Sequence, residues 1–318
     1  MGAVAVKMTR EPMFTLETGE QYAMGWMADY PDFRDYTMET AEAKVTPGLK
    51  EAPVSLKSLL AKTSALSAPT TLPPTTDLRP WCSPVENQLN LGSCTANAAV
   101  GAVEYFERRA FGKHIDASRL FVYKVTRDTL HWTGDTGAYL RSTMGTLALF
   151  GVPPEEYWPY RVEAFDQEPT PYCYAFADNY KAIQYFRLDP AGTPQNVLLQ
   201  KIKTNLASYL PSIFGFTVYN SISQATTSGK IPFPVAGERV LGGHAIMAVG
   251  YDDNIKIRNA NPGATETTGA LLIRNSWGPT WGMNGYGYLP YEYVLRALAQ
   301  DFWSLIQARW IDTGQFRA

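Results

Sequence analysis

The stretch from Ser93 to Phe111, SCTANAAVGAVEYFERRAF, constrains this chain more than any other. It contains few breakers, and Ala96, Ala99, Val100, Val103 and Phe106 recur at steps of three and four. That period predicts a buried helix. A second helix is expected over Tyr139–Phe150, stopped by Gly151 with Pro153 beyond. From about residue 181 the pattern changes. AIMAVGYDD and GALLIRNSW are apolar runs of strand length separated by polar DDNIKIRNANPGATETTG, which predicts a long hairpin. A helical half followed by a β half gives an α+β fold, and the interface between halves is a common place for an active-site cleft.

Upstream the chain reads differently. Residues 1–54 scatter Tyr22, Trp26, Tyr30, Phe33 and Tyr36 among Asp and Pro, as in GWMADYPDFRDYTME. Turn residues between aromatics predict an extended, docked segment rather than a helix. SLKSLLAK can form one helical turn or two, whereas SAPTTLPPTT is a linker that cannot hold a helix. A boundary at residues 67–76 follows. We therefore divide the chain into an N-terminal regulatory segment and linker over 1–76 and a main domain over 77–318. The helical lobe of that domain would run to about 180 and the β lobe from about 181.

Composition removes several function classes. Hydrophobic residues at 45% and charged residues at 18% are ordinary for a globular protein. A net charge of −2 with no Lys/Arg run leaves no electrostatic footprint for nucleic acid. The start, MGAVAVKMTREPMF, lacks the apolar run of a signal peptide, and no apolar stretch approaches the length of a membrane span. No membrane partner is expected, and the compartment stays open. Three cysteines and three histidines (His114, His131, His244), without C-x-x-C or H-x-x-x-H spacing, imply no metal site, and no organic cofactor is implied either. Cys82 and Cys173 could pair, although two leftover cysteines are more often free thiols.

Four residues carry chemistry in combination. Cys94 opens the first helix behind Gly92-Ser93, where unsatisfied N–H groups and the helix dipole favour a thiolate. A lone helix cysteine is more often an inert core residue. His244, in LGGHAIMAVGYDD, follows Gly242 and Gly243, which permit close backbone approach and an open cleft wall. Asn275, in LLIRNSWGPTWGMNGYGYLP, ends the next strand. Hairpin pairing would bring it across from His244, where its amide can orient the imidazole. Gln88, six residues before Cys94, could point an amide N–H at an oxyanion beside the Cys94 backbone N–H.

PVENQ…GSC, LGGHAIMAVGYDD and RNSWGPTWGMNGYGY stand in the order Gln–Cys–His–Asn. In this the chain resembles the papain family of cysteine peptidases over about residues 77–290. Cys94 and His244 are 150 positions apart (94 to 244), within the family's window of about 130–150. The resemblance implies a two-lobed fold, with a helical lobe carrying the nucleophile helix and an antiparallel β-barrel-like lobe across the cleft. Cys94 would be the nucleophile, His244 its acid–base partner and Asn275 the orienting group. Trp277 would shield the His–Asn hydrogen bond, and Gln88 would complete the oxyanion hole. Gly137, Ala138 and Tyr139 look similar to the segment that pairs with substrate backbone. Leu140, Gly242, Gly243 and Ala245 would line substrate-binding and specificity surfaces.

Two departures stand out. Leu91 replaces the first Cys and Thr95 the Trp of the family's Cys-Gly-Ser-Cys-Trp, and Asp135 stands where the lost disulfide's partner would be. The pattern looks most similar to bacterial, xylellain-like members, which share the motif seen here as GWMADYPDFRDY. The expected activity is a latent thiol endopeptidase acting on a peptide or protein, with its own N-terminal segment as intramolecular inhibitor. A structural strap that stays on the active enzyme is the other reading of that segment. A narrow isopeptidase or amidase, or a catalytically silent binding protein, are the alternatives for the whole. Folds of the first kind usually show a second His in place of the Asn, and silent relatives typically lose the Cys or the His.

Overall fold

The computed structural model describes residues 13–15, 19, 21–38, 56–63, 71–180 and 183–316. Parts of the expected N-terminal segment and linker, including residues 39–55 and 64–70, lie outside the described residues.

The chain opens with three short strands, β1 (Met13–Thr15), β2 (Gln21–Ala23) and β3 (Trp26–Met27), followed by helix α1 (Leu56–Ala61) and strand β4 (Thr75–Asp77). The described part of the N-terminal segment is therefore extended, and SLKSLLAK supplies the one short helix. Next comes the helical lobe: α2 (Cys94–Phe111), α3 (Arg119–Thr129), the two-residue β5 (Ala138–Tyr139), α4 (Leu140–Phe150) and α5 (Pro171–Ala177).

Helix α2 begins one residue inside the expected stretch, with Ser93 as N-cap, and ends on Gly112 in the left-handed conformation (φ 73°). Its five periodic apolar residues are all buried. Side chains of that size each contribute about 1.5–3 kcal/mol on burial, Ala less, so the helix is held by packing rather than propensity. Helix α4 stops at Gly151, as its sequence predicts.

The β lobe contains β6 (Gln184–Arg187), helix α6 (Gln195–Ala207), β7 (Ser212–Tyr219), β8 (Val240–Ile257), β9 (Thr267–Arg274), β10 (Tyr286–Pro290), helix α7 (Tyr291–Leu295), β11 (Ala299–Ile306) and helix α8 (Ala308–Ile311). Its sheet runs β10-β9-β8-β7-β11-β6, antiparallel at each step, with β4 added against the far end of β8. The expected hairpin is β8–β9. Helix α2 packs against β8, so the end of one lobe faces the central strand of the other. No helix among the described residues is long and apolar enough to cross a membrane.

Candidate active site

Cys94 is the first residue of α2 and is fully buried. The loop before it is pinned by polar contacts. Asp135 Oδ1 accepts from Gly92 N at 2.9 Å and from the Tyr123 hydroxyl, which in turn accepts from Gly137 N at 3.1 Å. The carboxylate thus ties this loop to the one before β5, at the place where the resemblance expected a disulfide partner. None of the three cysteines is in a disulfide, and all three are buried. Burial pushes the Cys82 thiol up to about 11, which makes it unreactive.

His244 lies on β8, buried, and its Nε2 is 2.8 Å from Asn275 Oδ1. Asn275 Oδ1 also accepts from Ser276 N at 2.8 Å, so the amide oxygen, not the nitrogen, faces the ring. Nε2 must then carry the proton, which leaves Nδ1 as the lone-pair nitrogen; it has no hydrogen-bond partner. The two residues are not directly opposite in the ladder. Met247 pairs with Arg274, so Asn275 lies just past the end of β9 and reaches diagonally to His244. Trp277 stacks on the imidazole with ring centroids 4.7 Å apart. Burial pushes the imidazole down to about 4, against an upward pull from Asn275.

Gln88 is buried in the loop before α2. Its Oε1 accepts from Ser276 Oγ at 2.5 Å, which fixes the amide orientation, and Nε2 donates to Leu91 O at 2.9 Å and to Ala23 O at 3.0 Å. Ala23 belongs to the N-terminal segment. That segment, residues 21–38, crosses the site as a strap. Tyr22 stacks on Trp277 at 5.3 Å and donates its hydroxyl to Trp277 O at 3.1 Å. Gly25 packs so closely on Gly92 and Gly137 that a β-carbon there would overlap the Gly92 backbone. Gly25 O accepts from Ala138 N at 2.8 Å, and Trp26 and Met27 then pair in parallel with Ala138 and Tyr139.

The Trp26 indole lies on the sheet face where the paired strands β7 and β8 each present a glycine. A β-carbon at Gly215 would fall inside the ring, and one at Gly243 would meet it at 2.7 Å. Trp26 Nε1 donates to Asp301 Oδ2 at 3.2 Å. Burial pushes the Asp301 carboxyl up to about 6, with Arg187 pulling the other way.

Of the expected substrate-binding residues, Gly137, Ala138, Tyr139 and Gly243 touch or pair with the strap. Gly242 stands with an extended φ of 159°, and Leu140 and Ala245 are buried beside these positions at the start of α4 and on β8. Sequence reading missed Trp26 and Asp301 as a pair, and it missed Gly215. An isolated glycine inside the apolar strand IFGFTVY marks a close approach, and that was the available signal.

A family model described as papain family cysteine protease matches residues 72–294. An uncharacterized peptidase C1-like protein of Acanthamoeba polyphaga mimivirus is 34% identical over 223 residues, covering 68% of each chain. Chymopapain of Carica papaya is 24% identical over 64% of this chain, which spans half of that protein's length. Among solved structures, xylellain, a cysteine protease from Xylella fastidiosa, is similar with a TM-score of 0.69 and 30% identity, covering 96% of this chain and 100% of its own. With its helix-borne cysteine, paired histidine and asparagine, and two-lobed α+β fold, the chain belongs to the papain family of cysteine proteases.

Proposed function

We propose that the chain is a cysteine endopeptidase that uses Cys94, His244 and Asn275, and that residues 22–27 hold it latent by occupying the cleft. One observation carries this reading: the Gln88 amide, placed to stabilise an oxyanion, already holds a peptide carbonyl, that of Ala23, at 3.0 Å. A site that grips a main-chain carbonyl there is built for peptides, and in this state the gripped peptide is the chain's own.

The reaction follows from the tautomer. With Nε2–H committed to Asn275, His244 Nδ1 takes the Cys94 proton, and the thiolate attacks the scissile carbonyl carbon. The resulting oxyanion is held by Gln88 Nε2–H and the Cys94 backbone N–H. The imidazolium returns its proton to the leaving amine as the C–N bond breaks, which leaves a thioester on Cys94. Water, deprotonated by His244, then attacks the thioester and releases the acid and the free thiol. Trp277, stacked on His244, keeps water off the His–Asn bond.

The test is hydrolysis of a mixed peptide pool by reduced protein between pH 5 and 8, read by mass spectrometry. The full-length chain, its Trp26→Ala variant and each with Cys94→Ala are compared. We expect Trp26→Ala to cleave faster than the parent, and Cys94→Ala to abolish cleavage. Equal rates with and without Trp26 would refute latency, and cleavage that survives Cys94→Ala would refute the nucleophile.

A further inference from the structure

We propose that Tyr160 is a positioning residue for the oxyanion hole. Its hydroxyl ties the turn that carries Gln88 to the residue in front of Cys94, and so sets the spacing of the two groups that would face the oxyanion. The inference rests on the peptidase reading, because that spacing matters only if an oxyanion forms there.

The turn that needs holding is short and strained. Leu89 and Asn90 form its corner, and Leu89 is left-handed (φ 55°) although it has a β-carbon. A conformation of that kind persists only where surrounding contacts over-determine it. On one side Gln88 is held by the β lobe, where its N donates to Ser276 O at 2.8 Å. Its carbonyl is served poorly by the turn itself, since Leu91 N reaches it only at 3.4 Å. Leu91 also stands where the family motif has its first Cys, so no disulfide ties this loop.

Tyr160 supplies the stronger bond. Its hydroxyl lies 2.7 Å from Gln88 O and 2.6 Å from Ser93 Oγ. A carbonyl can only accept, so the tyrosine proton points at Gln88, and Ser93 Oγ donates to the tyrosine oxygen. Asn97 completes the chain, with Nδ2 donating to Ser93 O and to Ser93 Oγ, each at 3.0 Å. The protons along Asn97, Ser93, Tyr160 and Gln88 therefore all run one way. Gln88 and Ser93 are fully buried, so water does not compete for these bonds. One tyrosine oxygen thus grips both ends of the loop from Gln88 to Ser93.

The ring is held independently of the hydroxyl. The Arg119 guanidinium lies over its face, 4.2 Å from the centroid. That guanidinium is itself buried and paired with Glu86 Oε1 at 2.9 Å and with Glu155 Oε1 at 2.8 Å. Tyr160 also packs, with Trp158, against Leu91, Leu120 and Ala164. A phenyl ring in its place would keep this packing and lose only the tie. Of the two oxyanion donors, Gln88 Nε2 stands at one end of the tied loop and Cys94 N just past the other. Cutting the tie lets them drift apart without altering either donor, or His244 and Asn275 on the other lobe.

The experiment uses the full-length chain carrying Trp26→Ala, to which Tyr160→Phe, Gln88→Ala or both are added. Peptide hydrolysis gives kcat and KM. Alkylation of Cys94 by iodoacetamide between pH 5 and 8 gives the reactivity of the thiolate, in a displacement that forms no oxyanion. We expect Tyr160→Phe to lower kcat roughly tenfold with KM within about twofold, since misplacing a preorganised donor slows the chemical step. Gln88→Ala should lower kcat about a hundredfold. Adding Tyr160→Phe to it should cost nothing further, because the hydroxyl acts through Gln88. The alkylation profile should not move. An unchanged kcat in Tyr160→Phe, losses that multiply in the double variant, or alkylation that falls in step with hydrolysis overturns the inference. Should Tyr160→Phe not fold, Ser93→Ala, which cuts the same tie on the Cys94 side, takes its place with the same expectations. Absence of any Cys94-dependent hydrolysis removes the peptidase reading and this inference together; Cys94-dependent hydrolysis that Tyr160→Phe leaves unchanged removes this inference alone.

Discussion

The two halves of the strap are held by different physics. From Tyr22 to Met27 it is apolar and buried, with Tyr22 1% and Trp26 7% exposed. From Asp29 to Thr37 it is charged and turns back on itself, and its aromatics face solvent, Tyr30 at 90% and Phe33 at 97%. This outer half is clamped electrostatically. Arg141 binds the carboxylates of Asp29 and Asp35 and donates to Tyr30 O at 2.8 Å, while Arg187 donates to Asp29 O at 3.0 Å. One half therefore depends on shape and resists salt; the other depends on charge, screened at the partly exposed Arg141–Asp29 pair and less so where Asp35 is buried against Arg141 and Arg187.

Trp26→Ala should have the largest effect, because truncating a buried Trp removes about 3–5 kcal/mol. Peptide hydrolysis by the full-length chain should rise a hundredfold or more, and an unchanged rate would refute latency.

Next in size is the pH response of the inner half. His244, lowered to about 4 from 6.5, contributes stability above pH 6.5 that is lost as pH falls toward 4. Asp301, raised to about 6 from 3.8, contributes stability below pH 3.8 that is lost as pH rises through 6. The two slopes oppose each other between pH 4 and 6, each worth on the order of 3 kcal/mol. Asp301→Asn should unmask the histidine, so that the thermal midpoint drops between pH 6.5 and 4 more steeply than in the parent. A parallel profile would mean that the two groups do not balance. In an NMR titration the His244 ring should titrate near pH 4 in the parent and closer to its ordinary value in Trp26→Ala.

Gly25→Ala comes third. Its new β-carbon meets backbone of Gly92, which cannot swing aside, and overpacking of this kind costs about 1–3 kcal/mol. Hydrolysis should rise severalfold to a hundredfold. Arg141→Ala should be weakest, about 1 kcal/mol, because Arg187 still faces the buried Asp35, and half-molar salt should reproduce only the share carried by the partly exposed Arg141–Asp29 pair. If salt instead matched the effect of Trp26→Ala, the division of the strap into two mechanisms would be wrong.

Much of the frame was readable from the chain. Local period placed α2 and its buried face, and Gly112 and Gly151 ended their helices where the pattern stopped. Cys94, His244, Asn275 and Gln88 stood out because residue type, glycine neighbours and order agreed, and the structure joins three of them through Ser276. The diagonal geometry of Asn275 was not readable, because strand ends depend on where the ladder breaks. The strap's aromatics could be recognised as needing partners, but not divided between cleft and solvent: GWMADYPDFRDY gives Trp26 and Phe33 similar local surroundings. Only the close approach to Gly215 and Gly243 separates their fates.

The two-part order of helices then strands, a cysteine at a helix start and a histidine behind two glycines were legible in the chain, because each rests on neighbours within a few residues; the roles proposed for Cys94, His244 and Asn275 came from the order of their motifs along the chain. The tertiary structure decided that Ala23 O would reach Gln88 and that Trp26 would meet Asp301, partners 65 and 275 positions apart. Such pairings leave no local period. They exist because pairing β7 with β8 puts Gly215 and Gly243 on one sheet face, where an indole can lie close, and because a bulge in β11, held by Asp189, brings the Asp301 carboxylate to that ring.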